Sequence, residues 1–365
     1  MGLKVAIVGL PNVGKSTLFN AVTQTAAAQA ANYPFCTIEP NVGEVAVPEP
    51  RLAVLAGIAA SKEIIPARIT FVDVAGLVRG AAVGEGLGNQ FLANIRDCDA
   101  IALVARCFED DDVTHVEGRV DPLGDLDIIA TELMLADLES LERRLVAMEK
   151  RAKGGDKEAS QTLRLANLAL TELRAGRPAR AAAVTSDDAK AWRMLQLLTT
   201  KPVLVAANVE EASAASGNAL SAQLAERAAR EGAKTVVISA RIESEIALLE
   251  PDERSEFLDA MGLAEPGLDR LIHEAYALLG LQTYFTAGPK ESRAWTVPVG
   301  AKAPEAAGVI HSDFEKGFIR AEVIAYDDYV RLNGEAGARE AGRLRSEGRD
   351  YVVREGDVMN FRFNV

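Results

Sequence analysis

The chain has 365 residues and a mass of 38.9 kDa, enough for two or three domains at roughly 150 residues each. A mean hydropathy of +0.04, with 48% hydrophobic and 25% charged residues, favours neither a disordered nor a membrane-spanning class. The net charge of −13 repels nucleic acid and anionic membranes on average, but it is segregated: residues 141–180 hold ten basic and five acidic groups, a net +5.

The apolar run 3–8 starts right after Met1-Gly2, leaving no room for a cleavable signal, and predicts a strand. It is followed by Gly9-Leu10-Pro11-Asn12-Val13-Gly14-Lys15-Ser16, which matches G-x-x-x-x-G-K-[ST] in the strand-to-helix setting that motif requires. In such a loop the backbone N–H groups around Asn12, Val13, Gly14, Lys15, Ser16 and Thr17 surround phosphate oxygens. The Lys15 ammonium then reaches the outer phosphates and the Ser16 hydroxyl ligates Mg²⁺. A helix without Gly or Pro is predicted from about residue 15 to residue 23.

The loop 32–41 carries Thr37, whose hydroxyl can complete the metal shell. Its neighbour Cys36 is a thiol whose oxidation would disturb that loop, with an inert packed thiol as the other reading. The run 68–74 ends in Asp73-Val74-Ala75-Gly76, which suits an acid near Mg²⁺ and a Gly76 N–H near the γ-phosphate. Leu77 stands where many GTPases carry a Gln that orients the attacking water, so hydrolysis is predicted to be slow until a partner or an ion completes the site. Lys15, Thr37 and Gly76 are the candidate catalytic groups, and Ser16, Thr37 and Asp73 the candidate metal ligands.

After the run 101–105 comes the acidic loop 109–112 and His115, read as a surface histidine with a catalytic role as the alternative. Between about 125 and 200 Leu, Met and Ile recur at helical spacing, interrupted at Gly154-Gly155-Asp156 and ended by Gly176-Arg177-Pro178. This predicts an antiparallel helical hairpin inserted between two strands. Arg143, Arg144, Lys150, Arg151, Lys153 and Lys157 lie on or near its tip, as a solvated face or as a contact for an RNA backbone.

The run 203–207 leads to Asn208-Val209-Glu210-Glu211, where GTPases read guanine with N-K-x-D. Val209 cannot supply the lysine stem, and Glu211 is one methylene longer than the expected Asp. Adenine has an acceptor at N1 and no 2-amino group, so the reason to exclude it is gone. ATP is therefore favoured over GTP, with Asn208, Val209 and Glu211 on the base side and Ser239, closing the run 235–239, in the remaining base-side loop. These short Val- and Ile-rich runs, separated by helical patterns, predict an α/β fold with a mainly parallel sheet. Past Gly280, alternation around 295–299, 318–324, 351–353 and 358–363 predicts a separate small α+β domain. Cys36, Cys98 and Cys107 share no metal-ligand spacing, and their odd number argues for a reducing compartment, the cytoplasm.

Residues 9–17, Tyr33-Pro34-Phe35-Cys36-Thr37-Ile38-Glu39-Pro40-Asn41, 73–79, Gly84-Glu85-Gly86-Leu87-Gly88-Asn89-Gln90-Phe91, 208–211 and Leu281-Gln282-Thr283-Tyr284-Phe285-Thr286-Ala287-Gly288 together resemble the YchF/Obg-like ATPase family. This is a branch of the Obg-related P-loop GTPases, and the resemblance covers nearly the whole chain. It implies a P-loop G domain at 1–124 and 200–280, a helical coiled-coil arm at 125–199, and a TGS-like domain of β-grasp type at 281–365. It implies ATP hydrolysis that drives a switch, a ribosome or ribosomal subunit as partner, and RNA contact through the basic arm. An Asn at the position of Asn12 helps related P-loops hold potassium, so K⁺ joins Mg²⁺ as a candidate cofactor. Two further readings stay open: an Obg-like GTPase acting as a ribosome factor, and a nucleotide-gated binding module with incidental hydrolysis. A monomer without membrane contact is expected.

Overall fold

The structure is a computed structural model that describes residues 3–32, 41–74, 87–110 and 119–364; the side chains of 26–32, 87–90 and 251 are also outside the description. The first half runs β1 (Lys4–Val8), α1 (Lys15–Asn32), β2 (Val42–Ala46), α2 (Pro50–Ala59), β3 (Glu63–Ile65), β4 (Arg68–Asp73), α3 (Leu87–Arg96) and β5 (Ala100–Arg106). It continues with α4 (Pro122–Lys153), α5 (Lys157–Arg174), α6 (Ala189–Met194), β6 (Val203–Asn208), α7 (Ala219–Arg230), β7 (Lys234–Ile238), α8 (Ala240–Ile246), α9 (Pro251–Met261) and α10 (Gly267–Leu278). The last part holds β8 (Leu281–Ala287), β9 (Glu291–Pro298), α11 (Ala303–Ile310), α12 (Ser312–Lys316), β10 (Phe318–Ala325), α13 (Tyr326–Arg331), α14 (Glu335–Glu340), β11 (Arg345–Glu347) and β12 (Asp357–Phe363).

The chain divides into two compact units, Met1–Val45 with Thr70–Leu271, and Ala46–Ile69 with Ile272–Val365. The sheet of the first has the order β2-β4-β1-β5-β6-β7, and β4, β1, β5, β6 and β7 are mutually parallel. Every residue of β5 is buried, and β1 is buried from Val5 onward, as expected where helices cover both faces. α1 extends nine residues past the end read from sequence, because the Ala-rich stretch after Thr23 is a strong helix former.

α4 and α5 form the expected hairpin. Asp121 caps α4 by accepting from the Gly124 N–H at 3.0 Å, ahead of Pro122 at the first turn. Gly155 takes the left-handed turn with φ of +85°, and Asp156 caps α5 through the Ala159 N–H at 3.0 Å. Leu141 packs against Leu165, Ala166, Ala169 and Leu170 along the seam. The buried Asp137 ties the returning chain to α4: its carboxylate accepts from the N–H groups of Leu198 and Thr199, both at 2.8 Å, and from the Thr199 hydroxyl at 2.7 Å.

The second unit has the sheet order β11-β10-β12-β8-β9-β3, with β8–β9 and β10–β12 antiparallel and β12–β8 and β3–β9 parallel. Ala303, Ala306 and Ala307 of α11 pack with Tyr284, Val297, Phe318 and Phe361 of the sheet in one core cluster. The Tyr284 ring meets Phe361 edge-on at 5.9 Å. Two features differ from the sequence reading. Residues 46–69, which it left with the P-loop domain, contribute β3 and α2 to this unit. Residues 351–353 form no strand; Val352 makes only an isolated bridge to Lys302, while the Tyr351 hydroxyl turns to donate to Asp357 at 2.7 Å.

Candidate functional site

Parallel register decides where the functional residues meet. Ile7 lies opposite Asp73, Arg106 opposite Asn208, and Asn208 opposite Ile238, so β1, β4, β5, β6 and β7 end at one edge of the sheet. Ligands of open α/β sheets bind outside such carboxyl ends.

At that edge β1 gives way to the glycine loop. A Cβ on Gly9 would stand 2.8 Å from the Val104 carbonyl oxygen, so the loop can follow this path only with glycine there. Gly14 has a φ of +88°, and a Cβ on it would stand 2.1 Å from Asn208 Nδ2. Backbone and space both demand glycine at this position. Asn12, at φ 64°, is also left-handed, a region asparagine tolerates better than most residues. The loop delivers Lys15 to the first position of α1, whose N-terminus is a ready anion site. Val13 is buried, while Ser16 and Thr17 are exposed on the first turn.

The Lys15 ammonium sits 2.5 Å from Asp73 Oδ1 and is only 7% exposed. Two residues 58 positions apart are thus in contact, each neutralising a charge that would be costly to bury alone. Ser16 and Asp73 are hard oxygen donors, one next to Lys15 in the chain and the other in contact with it. That donor set fits a small divalent cation, the kind on which proteins with this loop generally depend.

Asn208 is buried and braces two loops. Its Nδ2 donates to the Val13 carbonyl at 2.9 Å, and its Oδ1 accepts from the Ala240 N–H at 2.9 Å. Val209 differs from its expected role, because its side chain packs with Cys107, Val205 and Leu224 and its N–H donates to the Ile238 carbonyl. An apolar residue at a strand end gains more from the core than from solvent. Glu211 is half exposed and pairs with Arg241 at 2.6 Å, and Ser239 is buried at the start of α8. Thr37, Gly76, Leu77, Cys36 and His115 lie outside the described residues.

Sequence reasoning missed Arg106. Its side chain is fully buried at the end of β5, donates to the Phe108 carbonyl and the Asp110 carbonyl at 3.1 Å each, and lies over the Phe108 ring. It shapes the loop leaving β5. An arginine closing a seven-residue buried strand was the available signal, since arginine is almost never fully buried without partners. The thiols of Cys98 and Cys107 are buried, and burial pushes them up to about 11 and about 12, which leaves them unreactive near neutral pH.

The hairpin revises the basic face. Arg144 turns inward, donating to the Ser140 carbonyl at 3.1 Å and the Leu195 carbonyl at 3.2 Å. Arg151 pairs with Asp156 at 2.7 Å in the turn, and Lys150, Lys153 and Lys157 remain exposed cations.

Strand order, glycine loop and the carboxylate closing β4 define a P-loop nucleotide-binding protein of the G-domain class. A family model described as 50S ribosome-binding GTPase matches residues 4–150, and one for the C-terminal region of YchF GTPases, described as a protein of unknown function, matches residues 281–364. The ribosome-binding ATPase YchF of Haemophilus influenzae is 58% identical over 365 residues, with both chains covered completely. The protein of that name from Bacillus subtilis is 53% identical over 367 residues, again covering both. The structure of the Schizosaccharomyces pombe YchF GTPase matches with a TM-score of 0.87 at 35% identity, over 99% of this chain and 98% of that one. The chain belongs to the YchF family.

Proposed function

We propose that this protein hydrolyses ATP to ADP and phosphate as a nucleotide-dependent switch, slowly alone and faster on a ribosome or ribosomal subunit. The observation that carries the reading is the contact between Lys15 and Asp73 at the mouth of the glycine loop. A triphosphate entering the loop competes for the Lys15 ammonium and frees the Asp73 carboxylate for a cation. Bound Mg²⁺, held by Ser16, Asp73 and Thr37, would neutralise charge on the phosphate oxygens. Lys15 and the loop N–H groups stabilise the charge that develops on the transferred phosphoryl group. Leu77 cannot orient water, which accounts for slow turnover alone. A potassium ion beside Asn12 would supply a further positive charge.

The base preference rests on Glu211. Reading guanine requires a carboxylate free to accept from N1–H and the exocyclic amine, whereas this one is held by Arg241 at 2.6 Å. Adenine makes no such demand, and Asn208 has a second Nδ2 hydrogen to offer it. GTP is the second reading, favoured by the descriptions of the Schizosaccharomyces pombe relative and of the N-terminal family model as GTPases. The ribosome enters through the names of the relatives, and the exposed Lys150, Lys153 and Lys157 supply a surface for RNA phosphates. We read a cytoplasmic monomer built from a G domain, a helical arm and a C-terminal TGS-like domain. Among the described residues no helix is long and apolar enough to cross a membrane.

Competition titrations of ATP against GTP, with turnover measured with and without ribosomes in potassium and in sodium buffer, test this reading. ATP should bind at least tenfold tighter, and ribosomes and potassium should each raise the rate. Equal affinities would reject the base choice, and rates indifferent to ribosomes or to the alkali ion would reject that partner or that cofactor. Asn208→Ala leaves the Val13 carbonyl and the Ala240 N–H unpaired, at a cost of about 1–3 kcal/mol in stability. It should weaken ATP more than GTP if Asn208 also reads the base; equal loss would leave it a brace alone.

A further inference from the structure

The first unit holds a polar cavity lined by no residue of the glycine loop among the described residues. The cavity, of about 90 Å³, opens between α3 and α4, lined by Leu92, Ala93, Arg96, Ala136, Glu139, Ser140 and Arg143. Water occupies about 30 Å³ in the liquid, so the space holds a ligand of several heavy atoms. The Arg96 guanidinium has an Nε that is buried without a hydrogen-bond partner. That nitrogen faces away from the cavity, so the side of Arg96 that lines the cavity is the part open to an occupant. Arg143 stands at the rim, 71% exposed on its side chain, and among the described residues it approaches Glu139 on its own helix at 3.8 Å. An ion pair so exposed is weak and yields easily to a stronger anion.

Burial, and after it the neighbouring charge of Arg96, lowers the basicity of the half-buried Arg144 guanidinium. Lys201 donates to the Arg96 carbonyl at 2.9 Å. On the acidic side, Asp137 accepts from Leu198 and Thr199 and also lies within electrostatic reach of Arg96, and among the described residues Glu139 is the carboxylate that lines the cavity. Planar guanidinium forks and a hydroxyl from Ser140 are the donors that recognise tetrahedral oxyanions. Among the described residues the lining offers no aromatic face on which a nucleobase could stack.

We propose that Arg96, Arg143 and Ser140 form a binding site for a phosphate-class oxyanion, separate from the nucleotide site. Its occupant bridges α3, the first described element after Asp73, to α4, the first helix of the arm. The oxyanion is free orthophosphate or a phosphate of an RNA strand, and the two share the chemistry that the guanidinium groups read.

The test must silence the glycine loop, itself an anion site. Calorimetric titration of inorganic phosphate into full-length Lys15→Ala protein should show one saturable site. Its affinity should fall at least tenfold, equivalent to about 1.4 kcal/mol, when Arg96→Gln is added, and likewise with Arg143→Gln. The second substitution changes an exposed side chain and leaves packing intact, so a folding defect in the first cannot decide the outcome. A parallel titration with a short single-stranded RNA separates the sources: response to orthophosphate assigns free phosphate, and response to RNA alone assigns a backbone phosphate, each requiring the same loss in Arg143→Gln. Absence of a saturable site for either probe in Lys15→Ala protein, or affinities unchanged by Arg143→Gln, would overturn the proposal.

Discussion

Glu243 shows how a single side chain can tie α8 to the start of α10 within its unit. It lies on α8, four residues past Ser239, and its two oxygens accept from the N–H groups of Gly267 and Leu268, at 2.8 and 3.0 Å, where α10 begins. Burial raises its carboxyl to about 7, against the opposing pull of those two N–H groups. The ordinary value is 4.5, so between about pH 4.5 and 7 the folded state keeps a proton that the unfolded state has released. The stabilisation is therefore complete below pH 4.5 and is lost as pH rises through 7, on the order of 3 kcal/mol in all. Glu243→Gln has the same shape and no titration. Urea midpoints at pH 5 and pH 8 should show the unsubstituted protein losing stability relative to the variant as pH rises, and a constant difference would sink the idea. Nothing in the sequence marks Glu243, because its environment is made by α10, which begins 24 residues further along the chain.

Among the elements, the arm was the most legible and also held the largest omission. Hydrophobic periodicity and the Gly154-Gly155-Asp156 break located both helices, and the Asp156 cap is a local feature of sequence. The anchoring of the arm's base was not legible, since Asp137 on α4 meets Leu198 and Thr199 about 60 residues later, in a stretch without regular pattern. Asp137→Ala strands two buried N–H groups and a hydroxyl, each of which costs about 1–3 kcal/mol when unpaired. A loss of roughly 3 kcal/mol in chemical denaturation is expected, together with faster hydrogen exchange at the amides of Leu198 and Thr199. Wild-type protection at those amides would refute the anchoring role. The 351–353 segment shows the opposite error: alternation read as a strand describes a stretch whose Tyr351 hydroxyl bonds Asp357 instead of continuing a ladder. Short alternating runs carry too little information to separate the two outcomes.

For the whole molecule, net charge is the wrong summary. The arm carries a local excess of cations, and counterion release depends on local cation density rather than on the total of −13. Within that excess Arg144 is turned inward and Arg151 is paired with Asp156. Charge reversal by Lys150→Glu with Lys153→Glu should weaken co-sedimentation with ribosomes at moderate salt and leave the thermal midpoint nearly unchanged. Undiminished co-sedimentation would rule out the arm tip as the contact. By itself the sequence determined what is local: the glycine loop, the run that ends in Asp73, the departure of Asn208-Val209-Glu210-Glu211 from N-K-x-D, and the helical hairpin. Each is encoded within a few consecutive residues by backbone freedom, periodicity or donor chemistry. Only the tertiary structure decided the contacts of Lys15 with Asp73 and of Asn208 with Val13 and Ala240, the inward course of Val209 and Arg106, and the packing of residues 46–69 with 272–365. Those depend on which strands lie side by side and in what register, and register is set by the burial of whole faces rather than by any one residue.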